Sequence, residues 1–227
     1  MRSDFLDGRT LDRLIGTTRQ IHGIRYTINA LVSERHQPRF NERWVVLEAA
    51  SQQNNDRLIV KMRFQCNPCL VESAVYRTAA VTWGMGSFDA ECLALRECEG
   101  SGGTPKLLAQ ARLIQDNYDI YPGGYVSVIV MSRVAGQRIV EFLPDLIDDE
   151  KRTIRADLIQ ILEYMRLKNW NFAEPQPDQI FYDRATGKTS LVGLSRSGRN
   201  SEEPDPRTPI TADSIDVTAF CLEFLCM

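Results

Sequence analysis

The segment from Asn169 to Leu194, NWNFAEPQPDQIFYDRATGKTSLVGL, constrains this chain most. It opens as a polar, proline-containing loop. It then reads as a short apolar strand (Ile180 to Tyr182), a turn (Asp183 to Lys188) and a second strand (Thr189 to Leu194). Immediately before it, Asp148 to Lys168 carries acids in its first turn and bases in its last, the distribution that suits a helix dipole. The order along the chain is strands and one helix, a short connection, then helices interrupted by this hairpin. It points to an α+β protein whose strands and helices are segregated.

The rest of the chain supports that reading. Trp44 to Glu48 and Leu58 to Phe64 are predicted strands joined by the polar turn SQQNND, and Lys106 to Ile114 and Tyr125 to Ser132 are two more, joined by the turn-rich DNYDIYPGG. Phe88 to Cys98 fits a helix ending at Gly100, with SGGTP as the loop after it. Apolar positions Leu11, Leu14, Ile15, Ile21, Ile24, Ile28 and Leu31 predict an amphipathic helical region. Residues 66–86 match neither template, and Gly84 and Gly86 read as a turn. SRSGRNSEEPDPRTP reads as a solvent loop, and Asp213 to Met227 as a short apolar helix. The expected organisation is an N-terminal helical extension (1–40), an antiparallel sheet lobe with one key helix (41–135), and a reduced, mostly helical lobe (136–227) that holds the hairpin (170–194). The expected hinge is near Arg133 to Gln137.

Composition narrows the function. A net charge of −3 and a pI near 5.5 leave no electrostatic footprint for nucleic acid or an anionic membrane, so neither is an expected partner. No apolar run reaches the length of a membrane-spanning helix, and the first residues lack a signal-peptide core, so a cytoplasmic protein is expected. In that compartment the six cysteines are expected to be thiols. Cys66-Asn67-Pro68-Cys69 is a lone Cys-x-x-Cys, and His22 and His36 have no paired spacing to complete a zinc site. No metal site is expected. Nor is there a Gly-x-Ser-x-Gly elbow or a Ser-His-Asp set.

Lys61, central in LIVKMRF, and Glu91, in SFDAECLALREC, are charges within apolar elements. With GTPKLLAQ, PGGYVSVIVMSRVAG and NWNFAEPQPDQIFYD they fall in an order that resembles the fungal branch of the protein-kinase-like superfamily related to aminoglycoside and choline phosphotransferases. The resemblance spans roughly Trp44 to Leu194. It implies a two-lobe kinase-like fold, with Lys61 as phosphate clamp steered by Glu91 and with Met131 to Val134 bordering an adenine pocket between the lobes.

The same resemblance exposes three departures. The family's catalytic aspartate falls on Glu174 and its metal-binding asparagine on Gln179, each longer by one methylene. A displacement of about 1 Å can cost on the order of 10²-fold in rate. The family's metal-binding aspartate falls on Gly193, which has no side-chain oxygen for a hard cation. SQQNND also lacks the glycines that let backbone close over phosphates. ATP and magnesium are therefore disfavoured as cofactors. The expected function is a pseudokinase-like protein that binds a small molecule in the inter-lobe cleft or a protein partner. One alternative is an active small-molecule phosphotransferase with Glu174 as base and Gln179 as metal ligand. The other is an enzyme of a different class, using Glu174 for proton transfer in a cyclisation or elimination step of fungal secondary metabolism.

Overall fold

Alternating apolar residues along β3 (Glu42–Ser51) and β4 (Arg57–Gln65) drive the first part of the fold, which a computed structural model describes for residues 10–54, 56–71 and 73–222. The described contacts divide the chain into two units, Met1–Phe88 with Leu107–Arg133, and Asp89–Lys106 with Val134–Met227.

The first unit is built on a six-stranded antiparallel sheet in the order β1-β2-β3-β4-β6-β5. Its remaining strands are β1 (Thr18–Ile21), β2 (Ile24–Gln37), β5 (Leu107–Ile114) and β6 (Tyr125–Ser132). The side chains of Val45, Leu47, Leu58, Val60, Met62, Val126 and Val128 pack in one apolar cluster. The opposite face mixes charged and apolar residues. Trp44 pairs with Arg63 in register, and Val46 with Lys61, so these residues alternate with the core positions along the same strands.

The helical reading of residues 10–34 is corrected here. A single 3₁₀ turn, Asp12–Leu14, is followed by β1 and β2, and β2 pairs along most of its length with β3. Spacings of three and four between Ile21, Ile24, Ile28 and Leu31 mimic a helix, but β-branched and aromatic residues beside an open strand edge favour pairing. A register shift between Ile28 and Ala30 lets Ile28 and Leu31, three residues apart, both pack against the core.

The turn reading of Gly84 and Gly86 is also corrected. Both lie inside α1 (Ala74–Cys98), which covers most of the unassigned stretch. Gly84 is needed there for space, since a Cβ would come within 2.6 Å of Glu42 Oε1 and 2.9 Å of the Tyr125 hydroxyl.

In the second unit, α2 (Asp148–Leu167) buries Ile154, Leu158, Ile161, Leu162 and Met165, a stripe at helical spacing. β7 (Gln137–Arg138) pairs with β9 (Ile180–Asp183), which forms the expected hairpin with β10 (Lys188–Leu191). β8 (Trp170–Phe172) pairs with β11 (Ser197–Arg199), so the polar stretch after residue 194 begins with paired strand and is not wholly loop. The expected C-terminal helix shrinks to α3 (Ile215–Thr218), and residues 223–227 of that reading lie outside the described chain. No described helix is long and apolar enough to cross a membrane.

Candidate functional site

Two anchors hold the start of the loop that precedes the hairpin. Trp170 is buried and its Nε1–H donates to Glu97 Oε2 at 2.8 Å. Phe172 stacks on Phe220 with ring centroids 5.8 Å apart. From β8 the chain turns through Glu174, whose φ of 54° is left-handed, a conformation that costs a residue with a Cβ about 1–2 kcal/mol. The Glu174 carboxylate forms an ion pair with Arg196, the residue just ahead of β11. The loop then closes in a 3₁₀ turn, Pro177–Gln179. There the Gln176 N–H donates to Gln179 Oε1 at 2.7 Å, and the Val192 N–H donates to the Gln179 carbonyl at 2.9 Å.

Gly193 lies beside that glutamine. Its φ is 87°, and a Cβ built on it would stand 2.8 Å from Gln179 Nε2 and 3.3 Å from Gln179 Cγ. Gln179 and Gly193 therefore fit each other, because the amide side chain occupies space that a side chain at 193 would need. Gly193→Asp is expected to lower unfolding stability by about 1–3 kcal/mol, from backbone strain plus crowding. Shortening the neighbour in the double variant with Gln179→Asn should recover part of this. A double-mutant cycle by urea unfolding is expected to give a favourable coupling of about 0.5 kcal/mol or more. Strict additivity would mean that the two positions are independent.

The other sequence-derived residues fall as follows. Lys61 and Met131 belong to the sheet unit. Strand β4 pairs with β6 so that Ile59 faces Met131 and Lys61 faces Ile129, which sets both named residues on the sheet face opposite the apolar core. Glu91 is buried in the part of α1 assigned to the second unit, and Glu174, Gln179 and Gly193 belong to the same unit without being buried. Among these residues, the structure brings Gln179 and Gly193 into direct proximity within the second unit.

Lys61 takes part in a buried network that sequence reading did not find. Its Nζ lies 4.5 Å from the Trp44 ring centroid, and the Arg63 guanidinium lies 4.1 Å from the same ring. Glu42 accepts from Trp44 Nε1–H at 2.5 Å and from the Tyr125 hydroxyl at 2.8 Å. Burial pushes the Glu42 carboxyl above its ordinary range. The hydrogen bond from Trp44, the charge on Arg63, the hydrogen bond from Tyr125 and the charge on Lys61 pull it only partly back. The signal was present in the sequence as Glu42 and Trp44 two apart, opposite Arg63 and Gln65, but it needed the register to be read. Arg196 had no local signal.

The loop does not fit a divalent cation. Gly193 offers no side-chain oxygen, Gln179 Oε1 already accepts a backbone bond, and Glu174 is held by Arg196. No group of three or more His, Cys, Asp or Glu able to hold a metal occurs among the described residues. Cys66, Cys69, Cys92, Cys98 and Cys221 are free thiols. Burial pushes Cys66 up to about 11, which keeps it protonated and unreactive, so Cys66 and Cys69 do not form an activated pair.

No protein-family model matches the sequence, and no curated protein matches it. Among solved structures, the chain is similar to the kinase PK-1 of Cydia pomonella granulovirus. The TM-score is 0.51 and the identity 16%, and the match covers 78% of this chain and 53% of that one. The chain thus spans about half the length of that kinase. The fold is kinase-like.

Proposed function

We propose that this chain is a kinase-fold binding protein that has given up phosphoryl transfer. The observation that carries the proposal is the self-engaged loop, with Glu174 paired to Arg196, the Gln179 oxygen bonded to the Gln176 N–H, and glycine at 193 packed against Gln179. Phosphoryl transfer is mostly a matter of positioning metal ions and phosphates, and this loop spends its polar groups on itself. Its ligand is a small molecule or a protein partner, and it acts in the cytoplasm. The finer affiliation, with the fungal branch related to aminoglycoside and choline phosphotransferases and with secondary metabolism, rests on the order of IVKMRF, FDAECLALREC and NWNFAEPQPDQIFYD.

One observation favours a second reading in which nucleotide still binds. Lys61 and Glu91 keep the residue types that the resemblance assigns to phosphate clamp and steering acid, and both are buried. Glu174 as a proton-transfer acid has less support, since an exposed carboxylate paired with a guanidinium is not the desolvated acid that role requires.

Thermal unfolding with ATP, alone and with magnesium or manganese, tests the proposal. Magnesium is expected to add nothing to any stabilisation by ATP. A metal-dependent gain approaching about 2.7 kcal/mol, the value for a ligand at 100 times its dissociation constant, would restore the phosphotransferase reading.

A further inference from the structure

The sheet of the first unit curls until its two edges meet. Edge strand β1 lies against edge strand β5. The His22 Nε2–H donates to the Gln110 carbonyl at 2.6 Å across the closure. Arg19 lies 3.7 Å from an Asp119 carboxylate oxygen and 3.8 Å from one of Asp116. A sheet curled in this way encloses an interior that side chains must fill. Here they do not fill it. A cavity of about 240 Å³ remains, walled by Tyr26, Ile28, Val60, Met62, Val126 and Val128, with Arg19 and Asp119 also lining it.

Three features of this cavity define what fits. Its volume falls between the roughly 150 Å³ apolar cavity that takes benzene and the roughly 300 Å³ at which drug-sized pockets begin, so it suits one ring with a short chain. Most of its lining residues are apolar, Thr18, Arg19, Gln20 and Asp119 are polar, and Arg19 with Asp119 forms its charged locus. At that locus the Arg19 Nε–H is buried without a hydrogen-bond partner, and the Asp119 side chain beside it is only 4% exposed. A buried donor needs an acceptor, and a buried carboxylate has lone pairs to offer a donor. A hydroxyl supplies both. A carboxylate ligand would set a second negative charge against Asp119, and an ammonium would face the guanidinium of Arg19.

We propose that the closed sheet of the first unit is a binding site for a small uncharged alkylphenol, its ring and chain against the apolar wall and its hydroxyl between Arg19 and Asp119. The hydroxyl accepts from Arg19 Nε–H and donates to the Asp119 carboxylate, and no covalent step is involved. The site lies within the sheet unit and uses neither Glu174, Gln179 nor Gly193, so it stands apart from the loop on which the proposed function rests.

The test uses a matched series on the full chain: 4-propylphenol, propylbenzene and 4-propylbenzoate, titrated while the methyl resonances of ¹³C-labelled protein are followed. The phenol is expected to shift the methyls of Ile28, Val60 and Val128. The other two ligands should bind at least about tenfold more weakly, the loss of one charge-assisted hydrogen bond or the gain of a repulsion. Arg19→Met should weaken the phenol by about tenfold or more and bring it level with propylbenzene. Equal affinities for phenol and hydrocarbon on the wild-type protein would overturn the proposal. So would shifts confined to methyls outside the closed sheet, or no binding up to the solubility of the phenol.

Discussion

Glu42→Ala is expected to lower unfolding stability by about 3–5 kcal/mol, the cost of breaking a buried charge cluster by removing one side. Glu42 is fully buried, and its carboxylate faces the charges of Arg63 and Lys61 while accepting from Trp44 and Tyr125. Truncation strips two buried donors of their acceptor and takes away the negative charge that the cations face. Glu42→Gln keeps one acceptor oxygen and should cost less, about 1–3 kcal/mol. The pH dependence separates charge from shape. Burial, the dominant cause, holds the carboxyl of the folded protein above its unfolded range, so the folded state takes up the proton more readily. The resulting stabilisation is complete below the unfolded value and is lost as pH rises through the folded one. The wild-type advantage over Glu42→Gln should therefore be largest at acid pH and narrow toward neutrality. Glu34 works in the opposite sense. Burial pushes its carboxyl up, but hydrogen bonds from Thr10, Arg43 and Leu11 together bring it below the ordinary value, so its stabilisation is lost as pH falls. That contribution is common to both proteins and cancels in the comparison. Urea unfolding across the acid range measures all three variants, and a wild-type advantage that grows with pH would contradict the account.

Gly136→Ala is expected to cost about 3 kcal/mol or more, and Gly123→Ala only about 1–2 kcal/mol. Both glycines have φ of 83°, so the backbone strain added by a Cβ is the same. Their surroundings differ. Nothing lies within 4 Å of a Cβ at 123, whereas at 136 it would stand 2.2 Å from the Tyr182 carbonyl oxygen and 2.6 Å from the Asp183 nitrogen. Those are backbone atoms of β9, and Gln137, the next residue, pairs with Tyr182. Backbone cannot swing aside as a side chain can, so Ala at 136 must push β7 off β9. Hydrogen exchange should report faster amides in β7 and β9 for Gly136→Ala and unchanged ones there for Gly123→Ala. Equal costs at the two positions would show that strain alone matters.

Much of the fold was legible because burial imposes a period. β3, β4, β5, β6, α2 and the β9–β10 hairpin all follow their own patterns closely. The failures have physical causes. Ile21, Ile24 and Ile28 lie at helical spacing by coincidence, and only the pairing of β1 with β2 and of β2 with β3 shows that they are strand. The first half of α1 leaves Val75, Tyr76 and Trp83 exposed and carries Gly84 and Gly86, so it has no apolar stripe to read. At the candidate site, Glu174, Gln179 and Gly193 could be singled out from the sequence, but the fit of Gln179 to Gly193 could not. The space that Gln179 takes from position 193, and the pairing of Glu174 with Arg196, arise from segments brought together by β8–β11 and β9–β10.

The central claim is that a kinase-like fold here carries a loop that no longer transfers phosphate. The most direct measurement is ADP release from magnesium-ATP by the purified wild-type chain, assayed beside the triple variant Glu174→Asp, Gln179→Asn, Gly193→Asp. Because residues that act as a unit are strongly non-additive, restoring one alone is expected to change little. No turnover above the protein-free rate is expected for the wild type, whether or not the triple variant regains any. Robust magnesium-dependent turnover by the wild-type protein would contradict the claim.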